Sequence, residues 1–293
     1  MKYSLFLGAL LSQWLLQPFT LALASNIRAL YLFKDVMKSN TTAIKTSGFN
    51  TAVIFGVGVT ETGDIMYYSN TPGSSDVLAA SNGTYVGGDA LAVKVQSLKT
   101  GTTDLNRVEI SMNSQNIQAL MASPGPGPST PLYRNFVALK QAWDLDAVNN
   151  DDESIYDINS TVDFAQMLGK IGYIYTIAPY TNSDFWAELI RQANAGLTNL
   201  LLDRVYLQCY DGGMGNNPTS WADVLGLDVV PLLWVTNESK PADGTTSTQA
   251  KMKFSDWKKS GGLVGGGYWN DFDIEQNELS YTEYGDVLID IFP

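Results

Sequence analysis

The sequence holds no histidine at all and one cysteine, Cys209, among 293 residues. Without histidine, Ser-His-Asp and Cys-His catalysis are excluded, and so are the HExxH metalloproteases. A zinc site is excluded as well, because one cysteine and no histidine cannot supply its ligands. No disulfide can form within the chain, and Cys209 reads as a small buried hydrophobe. A Gly-x-x-x-x-Gly-Lys-Ser/Thr loop is also missing, which leaves phosphate-loop chemistry unsupported. Positive charge is scarce, with 18 Lys and Arg against 30 Asp and Glu for a net charge of −12. Such a chain repels nucleic acid and anionic lipid but accepts neutral ligands such as glycans, and its charge also favours solubility. Carboxylates, tyrosines and amides remain for catalysis, and neither a cofactor nor a metal is expected.

The N-terminus addresses the chain. Lys2 gives a positive start, Leu5 to Leu16 an apolar run, and Ala22-Leu23-Ala24 a small-x-small cleavage pattern. Residues 1–24 therefore read as a signal peptide, the run being shorter than the roughly 20 apolar residues of a membrane anchor. No later stretch reaches that length. Four N-glycosylation sequons follow, at Asn40, Asn82, Asn159 and Asn237, as expected of a secreted, extracellular glycoprotein. Loss of Lys2 with the leader takes the net charge to −13, and no membrane attachment is expected after cleavage.

The mature chain of about 269 residues suits one large barrel or two ordinary domains, and a chain of that length needs no disulfide staples. Short β-branched or aromatic runs alternate with stretches of helical period, which is the signature of βα units. Eight strands are expected, at 29–33, 51–57, 107–112, 145–149, 173–177, 204–208, 229–235 and 263–269. Helices are expected at 135–143, 161–170, 184–195, 220–225, 249–259 and 282–291. Eight such units and this length give a (β/α)8 barrel of the α/β class over residues 25–293. An open doubly wound sheet is the alternative, but it needs a Gly-rich βα turn that is absent. The Gly-, Ser- and Thr-rich stretch 67–101 reads as a β-hairpin excursion over the barrel mouth. The run Ser123-Pro-Gly-Pro-Gly-Pro128 reads as a rigid, helix-free loop.

The segment Asp146-Ala147-Val148-Asn149-Asn150-Asp151-Asp152-Glu153 stands out. Alternation along a strand points Asn149, Asp151 and Glu153 the same way, about 6–7 Å apart. At the carboxyl end of the fourth strand that direction is the barrel mouth, where this fold carries its active sites. Two carboxylates so placed repel, and one keeps its proton and becomes a candidate general acid. A solvated acidic loop and a cation site are the alternatives, although the calcium-loop pattern lacks its glycine here.

This segment resembles the Asp-x-x-Asp-x-Asp-x-Glu signature on strand four of the family 18 glycoside hydrolases, (β/α)8-barrel chitinases and endo-β-N-acetylglucosaminidases. The resemblance makes Glu153 the general acid and Asp151 the partner of the substrate's acetamido N–H, with Asn149 standing where the family has an aspartate. Val205-Tyr206-Leu207-Gln208-Cys209-Tyr210-Asp211 is similar to the family's strand-six motif, which implies that Tyr210 bonds the acetamido oxygen and that Gln208 and Asp211 bind substrate. Gly266-Gly267-Tyr268-Trp269 resembles the segment whose tryptophan floors the sugar site. Ser111-Met112-Asn113-Ser114 diverges from the strand-three Ser-x-Gly-Gly. The resemblance implies a monomeric hydrolase of N-acetylglucosamine-containing glycans (chitin, N-glycan core or peptidoglycan) working by substrate-assisted catalysis. The replacement at Asn149 leaves a carbohydrate-binding protein without turnover, or an inhibitor, as the alternative.

Overall fold

The computed structural model of the chain describes residues 26–293; the expected signal peptide lies outside these residues. Eleven strands form one sheet: β1 Ile27–Leu32, β2 Thr51–Val59, β3 Ile65–Tyr67, β4 Val77–Ser81, β5 Thr84–Tyr85, β6 Arg107–Met112, β7 Ala147–Asn150, β8 Ile174–Ile177, β9 Leu202–Gln208, β10 Val230–Trp234 and β11 Gly265–Trp269. Eight of them pair parallel in the order β1-β2-β6-β7-β8-β9-β10-β11, and β11 returns to β1 to close a barrel. The eight expected strands are these eight. Among the described residues ten α-helices accompany them: α1 Thr41–Lys45, α2 Asp89–Gln96, α3 Ile117–Ala122, α4 Pro131–Trp143, α5 Ile158–Ile171, α6 Ser183–Ala193, α7 Pro218–Leu225, α8 Ser247–Ser260, α9 Asp271–Gln276 and α10 Tyr281–Ile291. The architecture is a (β/α)8 barrel.

Local chemistry sets these boundaries. Thr130, Asp157, Asn217, Thr246 and Ser280 cap the N-termini of α4, α5, α7, α8 and α10 by accepting a backbone N–H. Each such cap contributes about 1 kcal/mol. Pro131 and Pro218 occupy the first turn, where a missing N–H costs nothing. The barrel seam needs glycine, because a Cβ on Gly265 would overlap the Ile27 carbonyl oxygen on β1. One apolar layer lies between barrel and helices, and a second, smaller one fills the barrel around Ala29, Tyr31, Val53, Tyr206 and Leu232. Cys209 is buried, and that burial pushes its thiol up to about 12, as suits a packing residue.

Two expectations change. The 67–101 excursion does form a hairpin, β4 with β5, but it packs on α4. Strands β3, β4 and β5 extend β2 in antiparallel order. They lie against α4, where the Trp143 indole N–H meets the Tyr85 hydroxyl at 3.1 Å and its ring sits 5.7 Å from that of Tyr67. Asn135 fastens the same extension by accepting from the Gly83 N–H at 2.7 Å. The four sequons also differ among themselves. Asn40, Asn82 and Asn159 are exposed, whereas Asn237 is 4% exposed and its amide donates to the Val235 carbonyl. Among the described residues no helix is long and apolar enough to cross a membrane.

Candidate active site

The carboxyl ends of the barrel strands open into a cleft of about 420 Å³. Tyr31 reaches it from β1, Phe55 from β2, Gln208 from β9, Trp234 from β10 and Trp269 from β11. Asp151, Glu153, Tyr180, Tyr210 and Asp211 follow the ends of β7, β8 and β9. Six of the seven residues expected from sequence, Asp151, Glu153, Gln208, Tyr210, Asp211 and Trp269, therefore line one cavity. Asn149 does not. It is fully buried within the barrel wall and presents no surface to a ligand, so its expected place as a substrate-binding residue is corrected.

Strand geometry holds one residue further than β7 itself, since the Asp151 N–H bonds the Met112 carbonyl on β6 at 2.9 Å. The backbone then turns. Asp152, 3% exposed, accepts the N–H groups of Ser154, Ile155 and Tyr156 at 2.8–3.0 Å and folds the following loop. That role accounts for a buried aspartate directly after the strand, and Glu153 sits exposed on the loop rather than in the strand. Asp146 lies at the other end of β7, where its carboxylate accepts from Lys99 and from the Val108 N–H.

The two carboxyl groups in the cleft differ. Burial pushes Asp151 up to about 8, the charges of Glu153 and Asp152 push the same way, and a 3.1 Å bond from the Gln208 amide opposes them. Asp151 therefore keeps its proton below about pH 8. Gln208 is itself fixed by donating to the Ala178 carbonyl at 2.8 Å. Tyr210 stacks on Trp269 with ring centres 6.4 Å apart and meets Trp234 edge-on at 5.7 Å. Burial and the nearby Asp151 and Glu153 raise its hydroxyl well above the ordinary tyrosine value, so it remains a neutral donor. Asp211 stands on the rim and pairs with Lys240 across two neighbouring loops.

Beneath the cleft runs a chain of hydrogen bonds with one direction. The Tyr31 hydroxyl donates to Asn149 Oδ1 at 3.1 Å, and Asn149 Nδ2 donates to Thr176 Oγ1 at 3.0 Å. Thr176 spends its only proton on Glu109 Oε2 at 2.6 Å. The fully buried Glu109 also accepts from Tyr206 and Arg107, each at 2.7 Å. Arg107 in turn forms a two-pronged pair with Asp203.

Sequence reasoning missed Tyr31, Phe55, Tyr180 and Trp234. Trp234 carried the same signal as Trp269, a tryptophan near the carboxyl end of an expected barrel strand. Tyr180 lies over Gly212, where a Cβ would come within 2.9 Å of the ring. Among the described residues no group of three acidic or cysteine side chains could hold a metal ion.

Neither a scan of family models nor a search of curated proteins gives a match. Solved structures do match. The catalytic domain of a family GH18 chitinase from the fern Peteris ryukyuensis aligns with a TM-score of 0.60 at 14% identity, over 90% of this chain and 99% of that one. A family GH18 chitinase from Cycas revoluta, in complex with allosamidin, aligns with a TM-score of 0.56 at 11% identity, over 89% and 99%. The catalytic domain of a hyperthermophilic chitinase from Pyrococcus furiosus aligns with a TM-score of 0.56 at 11% identity, over 92% and 97%. At such identities the likeness lies in the fold: the described chain has the barrel fold of the family 18 chitinases.

Proposed function

We propose that the chain is a secreted glycosidase, a divergent relative of the family 18 enzymes, which cleaves β-linked N-acetylglucosaminyl glycans with retention. The observation that carries this reading is the meeting of Asp151, Glu153 and Tyr210 in one aromatic cleft at the carboxyl ends of the strands. A Cycas revoluta chitinase of the same fold has been solved with (GlcNAc)3, and a related glycan is the natural occupant of this cleft. Export rests on the leader at 1–24 and on the exposed sequon asparagines Asn40, Asn82 and Asn159.

In this mechanism Glu153 donates a proton to the glycosidic oxygen as the bond from that oxygen to C1 breaks. The substrate's own acetamido oxygen attacks C1, so no protein nucleophile is required. Protonated Asp151 and neutral Tyr210 hold the acetamido group and stabilise the oxazolinium charge as it forms. Glu153, now a carboxylate, takes a proton from the water that opens the intermediate and is restored. Trp269, stacked with Tyr210, faces the sugar ring and excludes water.

A second reading, a glycan-binding protein without turnover, is favoured by one observation: the amide at Asn149 in place of a carboxylate. Wild-type protein incubated with N-acetylglucosamine oligomers, N-glycoprotein and peptidoglycan separates the two. Release of a product first seen as the β anomer supports the glycosidase and names its glycan. Binding of any of these glycans without release supports the second reading.

A further inference from the structure

Beyond the acid cleft lies a second hollow of about 610 Å³, walled by Phe33, Trp234, Glu238, Trp269 and Phe272. Trp234 and Trp269 belong to both hollows. They are register partners on the neighbouring parallel strands β10 and β11, so both side chains leave the sheet at one height on one face. The partition between the hollows is therefore built from two adjacent indoles.

The Trp234 ring is held by more than packing. Its Nε1 donates to Asp273 Oδ2 at 2.7 Å. Asp273, 8% exposed on α9, accepts at the same oxygen from Asn270 Nδ2 at 3.0 Å, and its own N–H donates back to Asn270 Oδ1 at 3.0 Å. The lysines of the adjoining loops are engaged elsewhere, Lys34 with Glu275 and Lys240 with Asp211. A carboxylate set among aromatic rings without a cation carries a desolvation cost that packing alone would not require. What it secures is the orientation of one indole.

We propose that Asp273 is a positioning residue that fixes Trp234 as the wall between the two hollows. The site then takes a glycan on both sides of the indole pair, and favours chains long enough to fill both hollows. This rests on the reading of the occupant as a glycan. Flat, apolar sugar faces match the two indole walls, as aromatic rings combine large contact area with little freedom to lose. Glu238, exposed on the rim of the second hollow, offers acceptors for sugar hydroxyls.

The test is calorimetric titration of N-acetylglucosamine oligomers of two and five units into wild type, Asp273→Leu and Asp273→Asn. Wild type should bind the longer chain at least about tenfold more tightly. Asp273→Leu should lose that gain, its affinity for the longer chain falling by more than its affinity for the shorter. Asp273→Asn, whose amide oxygen can accept the indole N–H, should restore it. Tryptophan emission without ligand should shift in Asp273→Leu and not in Asp273→Asn. Should Asp273→Leu fail to fold, Trp234→Leu must lose the same gain. A gain retained by the leucine variants, or affinity lost equally for both lengths, overturns the inference alone. Wild type that binds neither oligomer overturns the glycan reading, and the inference with it.

Discussion

Asn149 shows how one side chain can depart from an expected motif for a reason that lies on other strands. Thr176 gives its single proton to Glu109, so whatever faces Thr176 from position 149 must be a donor. An asparagine supplies that donor and still accepts from Tyr31, whereas an aspartate would set a carboxylate against an oxygen with no proton to offer. Asn149→Asp is expected to lower stability by about 1–3 kcal/mol, read by urea unfolding. Glu109→Gln in the same chain should recover part of that loss by releasing the threonine proton. The sequence displayed Asn149 as an anomaly and could not explain it, because the reason sits on β6 and β8. A second expectation concerns Asp151, whose carboxyl stands at about 8. Activity should decline as pH rises through about 8, and Asp151→Asn should remove that limb of the profile along with much of the rate. A limb unchanged in the asparagine variant would assign it to another group.

The elements were legible in proportion to how far their own sequence decides them. All eight barrel strands were visible because runs buried on both faces read as β-branched or aromatic blocks. The longer helices were visible from their period. Helices α1, α3 and α9, of five or six residues, escaped because helices so short draw their stability from packing rather than from propensity; α2 lies inside the stretch read as an excursion. The β3–β5 extension was legible only in part, as a hairpin excursion over 67–101. Its Gly and Ser content indicated turns, but its attachment depends on Trp143 and Asn135 of α4, far along the chain. Close backbone approach is equally silent in sequence. A Cβ on Gly285 of α10 would overlap the Ser47 carbonyl oxygen. Gly285→Ala should therefore cost about 1–3 kcal/mol as α10 shifts from its seat. Gly215→Ala, with open space around it, should stay within about 0.5 kcal/mol by the same denaturation measurement.

Across the whole molecule, two buried carboxyl groups set how stability follows pH. Burial raises Asp151 to about 8 and Asp271 to about 7, while in the unfolded chain both titrate near about 4. Between about pH 4 and pH 8 the unfolded state releases protons that the folded state keeps, so stability falls as pH rises through that window and levels off above it. The lowered groups, Asp157 and Glu275 among them, act below that window and add stability as they ionise. Thermal unfolding should therefore show a Tm that declines from about pH 5 to about pH 8. The slope should be smaller in Asp151→Asn and in Asp271→Asn, and a Tm that climbs over this range would contradict the electrostatic picture. Over that acid range Asp151 also keeps its proton, the form in which the proposed mechanism has it hold the acetamido group.

The most direct measurement compares product release from N-acetylglucosamine oligomers by wild type and Glu153→Gln at equal, measured occupancy of the site. Wild type should release shorter oligomers, and the glutamine variant should bind as well yet release them at least about 100-fold more slowly, the scale of a lost general acid. Equal release by both proteins would contradict the assignment of Glu153, and with it the account of the cleft as a glycosidase site.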